Sequence, residues 1–374
     1  MKKPLIVHVF SSFEIGGAQA RTCTLMNCFS DRYQFAILAL DGDYTCASKL
    51  AANVSFSLLE PPASRGPWSV AALVRHIIQS VCPAAMFVYN WGAFDALWVN
   101  VPKRLIPTLY VEDGFGADEY AGPRARRRLI RRFLLPVATV GTIVPSYSLF
   151  ELAVKEYALN QNCVHLIPNG ISTERFSPRR DRSVRFSCAI PEDSIVFSFV
   201  GRLSREKNVA WMVDRFAEAG VHNSYLLLVG CGPEEDNIRE AINRRQLASR
   251  VFLLGELVDT ESLYRNSDIF LLSSVTEQMP ISVLEAMSSG LPCLCTKVGD
   301  LERMLPAGRF GQVVDIHEPA EFVRMMRILA RDSELRAEIG MKNREHVIKL
   351  YSERNMTGRW AELFEAVVTG RDVR

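Results

Sequence analysis

Residues 268–295 read DIFLLSSVTEQMPISVLEAMSSGLPCLC. Ile269 to Leu272 is an apolar run of strand length, and 292–295 begins another. Between them Pro280 suits the first turn of a helix and Gly290 its stop. The stretch therefore reads strand–loop–helix–strand. On that reading Glu277 lies in the loop just ahead of a helix N-terminus, and Glu285 lies more than one turn inside the helix. Their carboxylates reach two different parts of one ligand. Backbone N–H groups around Met279, Pro280 and Ile281 are placed to bind anionic oxygens between them. That suits a molecule with hydroxyls at both ends and a diphosphate in the middle, a sugar nucleotide. Taken alone, the two acids read equally well as a capping residue and a solvated flank, so the rest of the chain has to decide.

Working outward, the same rhythm recurs almost from end to end. Strand-like runs fall at 5–10, 35–40, 84–89, 105–111, 141–144 and 164–167, then at 195–200, 225–229, 251–254, 269–272 and 292–295. Between them lie helical patterns such as Ala18, Thr22, Leu25, Met26 and Phe29 on one face. Continuous apolar strands alternating with helices predict parallel sheets covered on both faces. At 374 residues the chain exceeds one ordinary core. The charged, Pro-containing stretch 176–183 (FSPRRDRS) separates two halves of similar rhythm. The fold class expected is α/β, with two doubly wound parallel-sheet Rossmann-like domains facing a central cleft, residues 1–178 and 179–351. Ligands in such folds bind beyond the carboxyl ends of the strands.

Composition narrows the class further. No apolar run reaches the length needed to span a bilayer, and the short apolar start reads as a first strand rather than a signal peptide. The nine cysteines include no CxxC pair, and their odd count argues against a disulfide framework. A cytoplasmic protein is expected. Residues 1–180 carry 19 Lys/Arg against 13 Asp/Glu, and the remainder 25 against 29, so the front half favours an anionic partner.

Further motifs carry chemistry. Gly16 and Gly17 directly precede a helix starting near Ala18, where glycine lets backbone N–H groups approach a phosphate; a plain tight turn is the equal alternative. Arg202 and Lys207 flank the loop after strand 195–200 and can together neutralise a diphosphate leaving group. Gly230-x-Gly232 lacks the third glycine of a dinucleotide fingerprint and reads as loop punctuation. Gly255 and Leu257, in GELVD (255–259), close another strand and present backbone atoms to a flat base. Asn169–Gly170 reads as a turn closing the first domain, Ser146 as a helix cap, and Asp41-Gly42-Asp43 as a turn rather than a metal site. The histidines at 8, 76, 165, 222, 317 and 346 have no metal-ligand spacing.

GPRARRRLIRRFLLP (122–136), helical from Pro123 to Leu135, gathers Leu129, Ile130, Phe133 and Leu134 on one side and Arg124, Arg127, Arg128 and Arg131 on another. Such a helix suits an anionic membrane surface or a phosphorylated acceptor, and a merely solvated polar face is the alternative. Contact with the inner face of a cytoplasmic membrane is expected through Arg124–Arg132. No aromatic residues interleave with the arginines, so nucleic acid is not expected as a partner.

Taken in order, IGGAQ, VPSYSL, LIPNGISTERF, FVGRLSREKN, LLVGCGPEE and TEQMPISVLEAMSSGLP resemble the retaining glycosyltransferases of family 4, which have the two-Rossmann-domain GT-B fold. The resemblance runs from the first strand to about residue 305. It implies that the N-terminal domain takes a saccharide or lipid-linked acceptor and the C-terminal one a UDP- or GDP-sugar. It also implies that a final helix, within 352–374, returns to the first domain. Glu285 would contact the ribose, Glu277 the sugar hydroxyls, and Arg202 and Lys207 the diphosphate, helped by amides near Gly17. No metal is implied, and the anomeric configuration would be kept by front-face attack in which the leaving phosphate takes the acceptor's proton.

The chain departs from the family pattern at Gln278, where glycine is common, and at Glu112–Asp113, where many members have a histidine. One of these acids, assigned to Asp113, is expected to line the sugar–acceptor junction. Transfer of a hexose to a cell-envelope glycolipid, lipopolysaccharide or polysaccharide is the function expected. The alternatives are a non-catalytic sugar-nucleotide-binding protein on the same fold and, more remotely, a nicotinamide-dependent oxidoreductase.

Overall fold

Apolar runs that cannot face water on either side form the interior of two sheets. The structure, a computed structural model, describes residues 3–64, 66–115, 119, 124–179, 183–257, 259–308 and 311–371. Strands β1 (Leu5–Phe10), β2 (Gln34–Ala39), β3 (Phe56–Leu58), β4 (Ala85–Tyr89), β5 (Thr108–Val111), β6 (Gly141–Val144) and β7 (Val164–Leu166) pair in the order β3-β2-β1-β4-β5-β6-β7. Strands β8 (Ile195–Val200), β9 (Ser224–Val229), β10 (Val251–Leu253), β11 (Ile269–Leu272), β12 (Cys293–Thr296) and β13 (Val313–Val314) pair in the order β10-β9-β8-β11-β12-β13. Every pairing is parallel. The doubly wound, Rossmann-like expectation holds for both units. Strands β3 and β13 were not expected. The first is exposed throughout and the second has two residues, so neither carries a buried apolar run.

Strand order reverses between β1 and β4 in one sheet and between β8 and β11 in the other. At such a reversal the loops leave in opposite directions, opening a crevice at the carboxyl ends.

The chain divides into Met1–Asn169 with Met356–Arg374, and Gly170–Asn355. The boundary thus falls at 169/170 rather than at 178/179, because the intervening residues are tied into the second unit. Ile171 bridges Ser352. The Ser288 hydroxyl and the Arg344 guanidinium donate to the Phe176 carbonyl at 2.7 and 3.1 Å, and Phe176 is buried in the second unit's core. Residues 180–182 of the expected break lie outside the described residues, as do 372–374. The helix Glu353–Thr369 supplies Met356, Trp360, Leu363, Phe364 and Val367 to the first unit's core, with the Phe364 ring stacked 4.8 Å from that of Phe87.

The arginine-rich helix runs Ala125–Ala138 and continues through Pro136; Pro123, its expected start, lies outside the described residues. Each expected side is split: Leu134 is buried and Ile130 packs against the core while Leu129 and Phe133 do not, and Arg127 and Arg131 turn inward while Arg124 and Arg128 stay exposed. Arg131 is fully buried and meets Glu112 at 2.7 Å and Glu119 at 3.7 Å, while Arg127 meets Glu119 at 2.9 Å. Arg131 also lies over the rings of Trp91 and Tyr157. Arg128 pairs at the surface, with Glu156 at 2.8 Å. Leu129 and Phe133 face solvent. Buried glutamates beneath the helix, invisible to periodicity, draw Arg127 and Arg131 inward.

Candidate functional site

In the second unit, β8 ends at Val200 and the chain passes Gly201 and Arg202 into the tight turn Arg205–Lys207. Asn208, in left-handed backbone, then starts the helix Val209–Ala219. On the adjacent strand, Ser273 and Ser274 follow β11 directly. The Ser273 hydroxyl donates to the carbonyls of Lys207 and Asn208 at 2.8 and 3.1 Å, and the Val275 N–H donates to Glu206 O at 2.8 Å. These bonds hold the two loops side by side at the point where strand order reverses.

The Lys207 ammonium consequently meets the Glu277 carboxylate in an ion pair, and the Ser274 hydroxyl donates to the same oxygen, Oε1, at 2.7 Å. The side chains are 21% and 11% exposed, so the pair is largely withdrawn from water and its charge-assisted bond is strong. Thr296 at the end of β12 donates to Ser274 O at 2.6 Å. Gly299, at φ +53°, makes the close approach behind the pair. A Cβ there would sit 2.3 Å from Glu277 O and 2.8 Å from Gln278 O, so any side chain would displace the loop that aims Glu277.

The helix after this loop is Ile281–Ser288. Its N-cap is Pro280, no side chain caps it, and its first turn has no acid, which leaves its N-terminal end suited to an anion. Met279 is buried beneath the loop. Glu285 is the fifth residue of the helix and accepts a hydrogen bond from the Tyr264 hydroxyl at 2.7 Å. Burial, reinforced by the Glu285 charge, pushes the Tyr264 phenol well above its ordinary range, so it stays protonated and donating. Tyr264 belongs to the short helix Thr260–Arg265, whose N-cap Asp259 accepts from Ser262 N at 3.3 Å.

The remaining expected residues are placed less closely. Arg202 is exposed on the loop after β8. Gly255 lies beyond the edge strand β10, its carbonyl accepting from Gly230 N at 2.8 Å; the Leu257 side chain packs against the buried cluster that contains Leu227, Val229 and Leu263. Val258 of the same motif lies outside the described residues. A Cβ on Gly230 would lie 1.9 Å from Gly201 O, so that glycine seats the β9 loop against the β8 loop, as loop punctuation should.

In the first unit, Gly16 caps the helix Gly17–Cys28 just beyond β1. Asp113 follows β5 and is gripped by Arg21, whose two terminal nitrogens donate to its two oxygens at 2.5 and 2.9 Å. Arg21 also donates to Asn169 Oδ1 at 2.9 Å, and the Asp113 N–H donates to Asn90 Oδ1 at 2.7 Å. Glu112 points the other way, into the interior beside Arg131. Burial raises its carboxyl above the ordinary value, an effect that the Arg131 charge partly offsets. Asp41-Gly42-Asp43 is a turn: the Asp43 N–H donates to Asp41 Oδ1 at 2.9 Å, and Asp43 itself accepts from Thr45. Ser146 caps the helix Tyr147–Lys155 by accepting from Leu149 N at 3.2 Å. Among the described residues no group of three His, Cys, Asp or Glu side chains could hold a metal ion.

The structure thus joins Lys207 to Glu277 and sets Glu285 in the next helix; it places Asp113 with Arg21 in the other unit and turns Glu112 away. Tyr264, Ser274, Gly299 and Arg21 were not singled out from the sequence. Ser274 follows an apolar strand, a position that signals a site residue. Tyr264 and Arg21 carry no local signal, because their partners are distant in the chain.

Residues 181–346 match the family model of glycosyl transferases group 1. The chain is 27% identical over 187 residues to a UDP-Gal:alpha-D-GlcNAc-diphosphoundecaprenol alpha-1,3-galactosyltransferase of Escherichia coli, covering 47% of each chain. It is 28% identical over 229 residues to the sulfoquinovosyl transferase SQD2 of Arabidopsis thaliana, covering 59% of this chain and 43% of that one. The matched stretch thus spans less than half the length of either relative. In fold, the chain is similar to the crystal structure of Anabaena Alr3699/HepE in complex with UDP-glucose, with a TM-score of 0.82 at 18% identity over 97% of this chain and all of the other.

Proposed function

We propose that this chain, whose residues 181–346 match glycosyl transferases group 1 and whose fold is GT-B, moves a hexose from a nucleotide diphosphate sugar to a glycolipid, lipopolysaccharide or polysaccharide acceptor, retaining the anomeric configuration and using no metal. The observation that carries this reading is the Lys207–Glu277 pair at the strand-order reversal, with Glu285 set in the helix that follows. The donor's diphosphate takes Lys207 and Arg202, which frees Glu277 for the sugar hydroxyls; Glu285, oriented by Tyr264, takes the ribose. Gly255 and Leu257 offer backbone to the base, and the N-terminal end of the helix at Ile281 faces the diphosphate, assisted by amides near Gly17.

In the proposed reaction the bond from the anomeric carbon to the phosphate oxygen breaks as the bond to the acceptor oxygen forms on the same face. The acceptor's proton passes to the departing phosphate. The protein's task is charge stabilisation, which lysine and arginine supply. Asp113, held by Arg21, is assigned to the sugar–acceptor junction, since Glu112 is committed to the interior. The names of the relatives favour UDP as the nucleotide and a diphosphate-linked lipid as the acceptor.

A thermal-shift screen of UDP, GDP, ADP and NAD, followed by donor turnover with and without EDTA, tests the reading. Stabilisation by UDP or GDP and slow donor hydrolysis insensitive to EDTA are expected. Tight donor binding with neither hydrolysis nor transfer would make the chain a binding protein, and stabilisation by NAD alone would overturn both. Within the same assay Tyr264→Phe removes one charge-assisted bond to Glu285. It should weaken nucleotide affinity by about ten-fold while leaving the turnover number nearly unchanged.

A further inference from the structure

The seating of the arginine-rich helix leaves part of its apolar side facing water. Arg126, Leu129, Phe133 and Val137 follow one another at spacings of a helical stripe, and Leu129, Phe133 and Val137 are 56%, 66% and 48% exposed. With Trp98 and Val101 of neighbouring segments, Leu129, Phe133 and Val137 line an apolar depression of about 350 Å³. Trp68, 81% exposed at the start of the helix Pro67–Val81, stands with its ring 6.4 Å from that of Trp98. A contiguous apolar surface of this kind marks an interaction site.

The exposed charges on three of the segments bordering it are cationic. The helices Pro67–Val81 and Ala125–Ala138 and the segment 101–107 contain no Asp or Glu, while Arg75, Lys103, Arg104, Arg126 and Arg132 are exposed on them. Asp95, partly buried in the turn Trp91–Asn100, is the acid of the adjoining segment, and burial raises its carboxyl above the ordinary value. Aromatic and aliphatic tips ringed by cations without acids complement anionic headgroups over acyl chains. Among the described residues no helix is long and apolar enough to cross a membrane.

We infer that this face docks on an anionic lipid bilayer, with Trp68, Leu129 and Phe133 entering the acyl boundary and Arg75, Lys103, Arg126 and Arg132 meeting the headgroups. The contact is therefore led by the apolar stripe rather than by the arginine face of 124–132, whose Arg127 and Arg131 are turned inward. It does not depend on the proposed sugar transfer.

Co-sedimentation with vesicles of phosphatidylcholine, alone or mixed with phosphatidylglycerol, tests it. The whole chain should bind the mixed vesicles at low salt and bind phosphatidylcholine at least ten-fold more weakly. Phe133→Ser and Trp68→Ser, on different helices, should each lower binding about ten-fold, and Arg132→Glu about five-fold or more. All three positions are exposed, so thermal stability and nucleotide-induced stabilisation should stay as in the parent chain. Failure to bind the mixed vesicles would overturn the inference, as would binding indifferent to both serine variants. A concentration-dependent dimer in light scattering that Phe133→Ser abolishes would also overturn it, making a second copy of the chain the occupant.

Discussion

Glu277→Gln is expected to lower the rate of sugar transfer by about 10²–10³-fold while leaving nucleotide affinity within about three-fold of the parent. The amide keeps the shape of the carboxylate but loses its charge, so Lys207 and Ser274 no longer converge on a fixed anion. Lys207→Met should cost as much in rate, and it should also weaken nucleotide binding because the diphosphate loses its cation. Since the two side chains act as one unit, the double variant should be little worse than the poorer single one. Single-turnover rates and UDP titrations of the three variants check this. A Glu277→Gln protein retaining a third of the parent rate would remove the pair from the proposed mechanism.

The largest loss of stability is expected from Arg131→Met, about 3–5 kcal/mol, because it leaves Glu112 and Glu119 buried without their shared cation. The effect carries a sign with pH. The Glu112 carboxyl is already raised in the folded chain, so the native state holds its proton to higher pH than the unfolded state does. Its contribution to stability is therefore largest in acid and declines as pH climbs from the ordinary carboxylate range to the raised value. Without Arg131 the native value rises further and the decline extends to higher pH. The gap in melting temperature between variant and parent should narrow on acidification, and Glu112→Gln introduced into the variant should recover part of the loss. Calorimetry across a pH series measures both. A gap that is small, or that widens in acid, would show that Arg131 does not serve to neutralise these glutamates.

Much of the architecture can be read along the chain because strands buried on both faces must be continuously apolar. That is why β8, β11 and the helix after them were expected nearly where they stand. The carboxylates and cations of the site were equally visible, as charged residues placed at strand ends. Their pairing was not. Lys207 and Glu277 are 70 residues apart, and only the adjacency of β8 and β11 brings them together. Tyr264 approaches Glu285 through packing between two helices, which no spacing encodes. The arginine-rich helix makes the same point from the other side. Periodicity groups its residues, but which of them turn inward depends on acids lying beneath it, and the usual rule that charge faces water fails for Arg127 and Arg131.

The helix Glu353–Thr369 has a consequence for how the chain is made. Seven strands of the first unit emerge from the ribosome before residue 170, yet Trp360 and Phe364, which close their core, are translated only after the second unit. The amino-terminal unit must therefore wait, with part of its interior open, until the whole second unit has been translated. A nascent fragment halted after residue 169 should be readily cut by protease and should bind chaperones, and a peptide spanning 353–371 supplied in trans should protect it.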